Sequence, residues 1–310
     1  MKKVFIDGSA GTTGLRIRER LLRRADIELL TLPEELRKDA EARRAALNAA
    51  DIVFLCLPDA AAVEAVSMVE NDRTVVIDAS TAHRTDPAFA YGFPELGEAF
   101  AEKIKTAKRI AVPGCHASGF IALVYPLVRS GILPRGALLS FHSVTGYSGG
   151  GKSMIEAYEG AERDGLLSAP RQYALGQTHK HLPEMQAVTG LLSAPVFSPI
   201  VSDFYSGMVV TLPLFSAQLL PGKAAADIRA AYAALYRGPV VRYAEGADES
   251  GFLSAVRLSG KDTMEISVFG NEERILAVAR YDNLGKGASG AAVECMNIVM
   301  GADPCEALEL

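Results

Sequence analysis

The chain has 310 residues, 49% hydrophobic and 22% charged, with 37 acidic against 32 basic side chains and a formal net charge of −5. At roughly 150 residues per domain this length predicts about two domains. The composition excludes disordered, collagen-like and coiled-coil chains, and no basic excess points to a nucleic-acid partner. The four cysteines, Cys56, Cys115, Cys295 and Cys305, form no C-x-x-C pair. That argues against a zinc or thioredoxin-type motif and predicts a reducing, cytoplasmic setting. The start has no signal-like apolar region, and the apolar stretch 119–128 is too short to span a bilayer and contains Pro126.

In chain order, residues 3–7 predict a buried parallel strand, followed by a glycine-rich turn and a helix over 12–24. Strands are expected at 27–32, 51–57, 74–78 and 108–112, with helices at 34–50, 60–70 and 116–130 and a loop over 80–97. Strands alternating with helices predict a parallel α/β sheet with right-handed crossovers. From 137 the pattern changes. Strands are expected at 137–145, 207–215, 252–258, 264–269 and 275–281, with a helix over 224–236. This predicts a second domain of α+β type. The small-residue segment 287–301 predicts a closing helix.

Four segments carry chemistry. Gly8-Ser9-Ala10-Gly11-Thr12-Thr13-Gly14 lies between the first strand and the first helix, where glycines admit a pyrophosphate to free helix N–H groups. No acid ends the second strand, whereas Arg37 and Lys38 lie just beyond it, which tilts the expectation to NADP over NAD. Pro113-Gly114-Cys115 places a thiol at a strand-to-helix turn, where a helix N-terminus favours the thiolate nucleophile. Cys56 lies inside an apolar strand and reads as core; Cys295 and Cys305 read as structural. His179 and His181 lie in one short segment, His-Lys-His-Leu-Pro-Glu184, and suit acid/base service to a thiolate better than metal binding. Ser143-Val-Thr145-Gly-Tyr-Ser148-Gly149-Gly-Gly-Lys152, with its hydroxyls, glycines and lysine, suggests an anion-binding loop. The stretch from Gly146 formally fits a P-loop, but no partner aspartate accompanies it, so a nucleoside triphosphate site is not expected.

Together these motifs resemble the N-acetyl-γ-glutamyl-phosphate reductase family, in its shorter class. The resemblance runs through Gly8–Gly14, Asp78-Ala-Ser80 to Arg84, Tyr91-Gly-Phe-Pro-Glu95, Pro113-Gly-Cys115, His179-x-His181-x-Pro-Glu184 and Asp282-Asn283 to Gly290. Departures from the longer class are His116 and Ser118 after the cysteine, and Lys152 where an arginine is usual. Lysine does not reproduce arginine's bidentate grip on phosphate.

The resemblance implies a Rossmann-type NADP domain, 1–114 plus 285–310, and an α+β catalytic and oligomerisation domain, 115–284. It implies Cys115 as nucleophile, with His181 moving the proton and His179 in reserve. It implies Ser148, Gly149, Lys152, Arg84 and Glu184 at the substrate, and His83 beside Arg84 in the same role. It implies Gly8, Ser9, Gly11, Thr12, Thr13, Gly14, Ser80 and Asn283 at the cofactor. No metal is expected. A homodimer or homotetramer acting on a small acyl phosphate is implied, with no nucleic-acid or membrane partner. The alternatives are aspartate-semialdehyde dehydrogenase and an aminoadipyl-phosphate reductase.

Overall fold

The structure, a computed structural model, describes all 310 residues. The chain divides into two compact units, Met1–Pro113 with Ala288–Leu308, and Gly114–Gly287 with Glu309–Leu310. The first unit contains β1 (Lys2–Asp7), α1 (Thr12–Leu21), β2 (Ile27–Leu30), α2 (Ala40–Ala49), β3 (Ile52–Leu55), α3 (Asp59–Ser67), β4 (Val75–Asp78), β5 (Ala90–Tyr91), α4 (Glu98–Thr106) and β6 (Arg109–Ala111). Its strands form a parallel sheet in the order β2-β1-β3-β4-β6-β5.

Helices cover both faces, so the strands are apolar on both, and all four residues of β3 are buried. Alternate residues serve two cores. Val4, Ile6, Ile52, Phe54 and Ile77 pack with Ile17 and Leu21 of α1, whereas Phe5, Val53, Leu55 and Val76 pack with Leu47, Ala62 and Ala65 of α2 and α3. The strand order reverses between β1 and β3, and the glycine turn lies at this switch point, where open α/β sheets bind ligands.

The second unit contains α5 (Cys115–Arg129), β7 (Ser140–Gly146), α6 (Gly151–Glu159), β8 (Arg171–Gln172), α7 (Leu182–Thr189), β9 (Val196–Ser202), β10 (Met208–Phe215), α8 (Ala225–Leu235), β11 (Val241–Tyr243), β12 (Met264–Gly270) and β13 (Arg274–Tyr281). Its sheet is mixed, in the order β11-β12-β13-β10-β7-β9-β8. The helix α5 packs on β10 and β13, beside α7 and α8. Pro126 lies inside α5 and removes the N–H that would bond the Ala122 carbonyl. The Tyr236 hydroxyl replaces it, donating to Ala122 O at 2.6 Å, and the Tyr232 hydroxyl adds a bond to Leu123 O at 2.6 Å. The last helix, α9 (Gly290–Met300), belongs to the first unit, where Ala291, Ala292, Val293 and Met296 complete one core.

Several expectations are corrected. The predicted strand 252–258 is a run of turns: Ser250 and Gly251 have φ of 53° and 88°, and Phe252 and Val256 stay 76% and 46% exposed, so of its apolar side chains only Leu258 is buried. The predicted helix 34–50 begins only at Ala40, where the Asp39 carboxylate caps the Ala42 N–H at 2.8 Å. Sequence reading misses β9, whose interior Pro199 disguises it, and the helices α4, α6 and α7. Glu309 and Leu310 leave the first unit, because Glu309 O accepts the Asp262 N–H at 2.7 Å, the Glu309 N–H donates to the Asp262 carboxylate at 2.9 Å, and Lys261 Nζ donates to Leu310 O at 2.7 Å.

Candidate active site

In the first unit, the glycine turn is shaped by close packing at its two ends. Gly8 has φ +88°, and a Cβ there would lie 2.2 Å from the Cys56 carbonyl oxygen; a Cβ at Gly14 would lie 2.5 Å from Gly8 O. At Gly11 the nearest atom would be 3.5 Å away. The outer glycines therefore serve strand–helix packing, and Gly11 leaves an open cradle. Gly11 is also the N-cap of α1 and makes no side-chain cap, so the first N–H groups of the helix are left for a ligand. Ser9, Thr12 and Thr13 flank this cradle, half-buried. These residues fit the pyrophosphate of a dinucleotide.

Elsewhere in this unit, Asp78 organises the loop after β4. It accepts from Ser80 Oγ at 2.8 Å and pairs with His83 Nδ1 at 2.7 Å, and the His83 ring stacks on Phe89. The Arg84 guanidinium donates to Val112 O at 2.9 Å and Ala79 O at 3.1 Å, a brace between the ends of β4 and β6. Ser80 and Arg84 thus each hold protein partners.

In the second unit, Cys115 is the first residue of α5, after Gly114 as N-cap. Buried Glu184 accepts the Gly114 N–H at 2.9 Å and fixes the turn. On the other side, Tyr281 donates to the Cys115 carbonyl at 2.5 Å and accepts the Gly119 N–H at 3.0 Å. Gly287 packs tightly here, since a Cβ would lie 3.0 Å from Asp282 O and 3.1 Å from the Cys115 Cβ.

Three imidazoles cluster beside this helix start. The His116 ring centroid lies 5.6 Å from that of His179 and 5.7 Å from that of His181, and His179 and His181 are 4.6 Å apart. His116 Nδ1 lies 2.8 Å from Ser143 Oγ, and Nε2 lies 2.7 Å from the Tyr173 hydroxyl. Burial, reinforced by His179, pushes the His116 imidazole down to about 3, so this ring is neutral. Burial, and in lesser part the Cys115 sulfur, push the Tyr173 phenol up. The His181 N–H donates to His179 Nδ1 at 3.1 Å. That bond makes Nδ1 an acceptor, so a neutral His179 carries its proton on Nε2. His181, at the start of α7 and 5% exposed, carries no such constraint from that bond.

The remaining candidates of this unit differ in setting. Buried Ser148 accepts from Asn283 Nδ2 at 3.0 Å, and Asn283 Oδ1 accepts the Gly207 N–H at 2.9 Å. Asn283 is therefore a brace for the 146–151 loop. Gly149 and Lys152 are exposed on that loop and on the first turn of α6. Sequence reading misses Tyr173 and Tyr281, because only the tertiary fold brings them to α5, and it places Ser143 in the anion-binding segment rather than against His116. His116 stands out in sequence solely as a departure from the longer class.

Residues 32–107 match the family described as semialdehyde dehydrogenase, NAD binding domain, and residues 115–283 match semialdehyde dehydrogenase, dimerisation domain. A protein of Rhizobium etli named N-acetyl-gamma-glutamyl-phosphate reductase is 48% identical over 308 residues, covering 97% of this chain and 99% of the relative. The chain belongs to the N-acetyl-γ-glutamyl-phosphate reductase family. A further reductase of that name, from Chelativorans sp., is 47% identical over 96% of this chain and 98% of its own. The reductase fold extends to more distant proteins. Aspartate semialdehyde dehydrogenase II of Vibrio cholerae, complexed with ASA, superposes with a TM-score of 0.74 at 16% identity, covering 97% of this chain and 98% of its own. Aspartate semialdehyde dehydrogenase of Candida albicans, with NADP, gives 0.62 at 14%, over 97% and 98%. At these identities the likeness concerns fold.

Proposed function

We infer that this chain reduces N-acetyl-γ-glutamyl phosphate to N-acetylglutamate semialdehyde with release of phosphate, using NADPH. The observation that carries the reading is Cys115 at the start of α5, braced by Glu184 and Tyr281 and flanked by three imidazoles. The helix N-terminus favours the Cys115 thiolate, which attacks the acyl carbon. The carbon–oxygen bond to phosphate breaks and a thioester remains on Sγ. Bound NADPH supplies the hydride that this thioester accepts. Gly8, Ser9, Gly11, Thr12, Thr13 and Gly14 hold the dinucleotide, and the family resemblance adds Ser80 and Asn283 as cofactor residues.

His181 gives its proton to the oxygen of the thiohemiacetal's precursor and takes it back as the carbon–sulfur bond breaks, which returns the thiolate. Ser148, Gly149 and Lys152 receive the leaving phosphate, with Lys152 acting as a point charge. The family resemblance also assigns Arg84, His83 and Glu184 to the substrate, and Glu184 serves it through the Gly114 turn.

The reading extends to assembly as a homodimer or homotetramer through the sheet of the second unit, since the matching family description there is a dimerisation domain. The nucleotide-binding unit is the first one, with α9 returned to it. No helix is long and apolar enough to cross a membrane, and a cytoplasmic location is part of the same reading.

The reverse reaction tests it. Given N-acetylglutamate semialdehyde, phosphate and NADP, the protein forms NADPH in a phosphate-dependent manner. Cys115→Ser lowers the rate below about 10⁻³ of wild type, the scale of nucleophile removal. Turnover restricted to aspartate semialdehyde moves the substrate, and unchanged activity in Cys115→Ser removes the nucleophile.

A further inference from the structure

One hydrogen-bonded line at the site is not used by that mechanism. It runs from Ser143 Oγ to His116 Nδ1 at 2.8 Å, and from His116 Nε2 to the Tyr173 hydroxyl at 2.7 Å. Its direction follows from counting hydrogens. The His116 imidazole, neutral and 3% exposed, has one N–H to give. Ser143 is fully buried, and its hydroxyl meets His116 Nδ1. Were it to accept there, its own hydrogen would be buried without an acceptor, which costs more than an unfilled lone pair. Ser143 therefore donates to Nδ1, the imidazole proton resides on Nε2, and Nε2–H donates to the Tyr173 oxygen. The phenolic hydrogen is then left for another acceptor.

Tyr173 has one side open. It is half-buried at the start of the loop between β8 and His179. The backbone there is held under strain: Ala174 and Gln177 have φ of 52° and 55°. Gln177 clamps the loop to β9, donating to Phe197 O at 2.7 Å and accepting its N–H at 2.9 Å. Strained non-glycine residues persist where their surroundings over-determine them, and they cluster at active sites.

We propose that the Ser143–His116–Tyr173 line makes Tyr173 a catalytic hydrogen-bond donor to the substrate's carbonyl oxygen, with His116 and Ser143 as its positioning residues. The proposal rests on the thioester reading above. That oxygen gains negative charge twice, when the thiolate attacks and when hydride arrives. A donor fixed in direction stabilises both states with no proton transferred and no reorganisation. His181 remains the group that moves the proton.

Two measurements test it. In protein labelled with ¹⁵N-histidine, ring correlations identified by their loss in His116→Gln report the His116 tautomer. The expected result is a neutral Nε2–H ring in wild type, with Nδ1–H gaining population in Ser143→Ala; a wild-type Nδ1–H ring overturns the line. In steady state, Tyr173→Phe lowers kcat about 100-fold with KM nearly unchanged, the scale of one oxyanion donor. Ser143→Ala lowers kcat about tenfold, and adding it to Tyr173→Phe costs nothing more, as expected for residues acting in series. Losses that multiply, or a change confined to KM, overturn the proposal. The tautomer is read without substrate, so a wild type inactive on N-acetylglutamate semialdehyde strikes the substrate reading, while the ring proton still decides the line.

Discussion

At the scale of single residues, the site shows one side chain type in opposed settings. Burial, with Asp78 and Asp7 adding to it, pushes the Cys56 thiol up to about 12, which leaves this half-buried thiol just after β3 protonated and inert. Cys115 instead opens a helix whose N-terminus favours a thiolate. Histidines divide in the same way, and His116 gives the sharpest test. Its folded value of about 3 lies well below the usual value near 6.5. Between those limits the unfolded chain binds a proton that the folded chain refuses. The His116 contribution to stability is therefore full above about pH 6.5 and is lost as pH falls towards 3, at up to about 1.4 kcal/mol per pH unit. Carboxylates titrate in part of this range, so the comparison is with His116→Gln. Urea unfolding from about pH 7.5 to 4.5 is expected to show the stability of wild type falling more steeply than that of the variant. Parallel curves would show that His116 is not held neutral.

At the scale of elements, α5 aims the nucleophile, and Tyr281 of β13 holds its first turn by bonding both Gly119 N and Cys115 O. A methyl at position 119 would lie 2.6 Å from the Tyr281 hydroxyl and 2.7 Å from Val210 Cγ2. Gly119→Ala is expected to destabilise by about 1–3 kcal/mol through overpacking. Tyr281→Phe removes the same bridge without a clash, leaving a buried N–H and carbonyl short of a partner, at a cost of about 1–3 kcal/mol. Thermal unfolding and kcat measured on both variants are expected to fall together; if kcat holds while Tm drops, the bridge is structural and does not aim Cys115. The start of α5 is legible in sequence, because Pro-Gly-Cys after an apolar strand is a local signal. Tyr281 is not, since its role exists only through a partner 162 residues away. Tyr173 is hidden for a related reason. Pro199 accepts the Tyr173 N–H at 3.1 Å and has none to return, so β8 stops at Gln172 and the chain leaves the sheet there as the Tyr173–His179 loop. The same proline that masks β9 in the sequence thus releases the loop that carries the site. The parallel strands of the first unit, by contrast, announce themselves, being short apolar runs buried on both faces.

At the scale of the molecule, the proposed assembly makes a demand on the sheet of the second unit. Phe215 pairs with Arg274 and Pro213 pairs with Leu276 across β10 and β13, which places Phe215 and Leu276 on the same face. They are 61% and 40% exposed. Single exposed apolar side chains are ordinary, but neighbours on one sheet face are what a partner would cover. Burying the pair against a second copy would recover about 25 cal/mol for each Å² of apolar surface removed from water. Replacing both with aspartate puts two charges into any such interface, where unpaired burial is costly. Light scattering behind size exclusion is therefore expected to give a dimer or tetramer for wild type and a smaller species for the Phe215→Asp, Leu276→Asp variant. Because both side chains already face solvent in the single chain, the variant's fold is expected to survive, as circular dichroism would show. A wild-type mass retained by a folded double variant would place the interface on another face of the second unit.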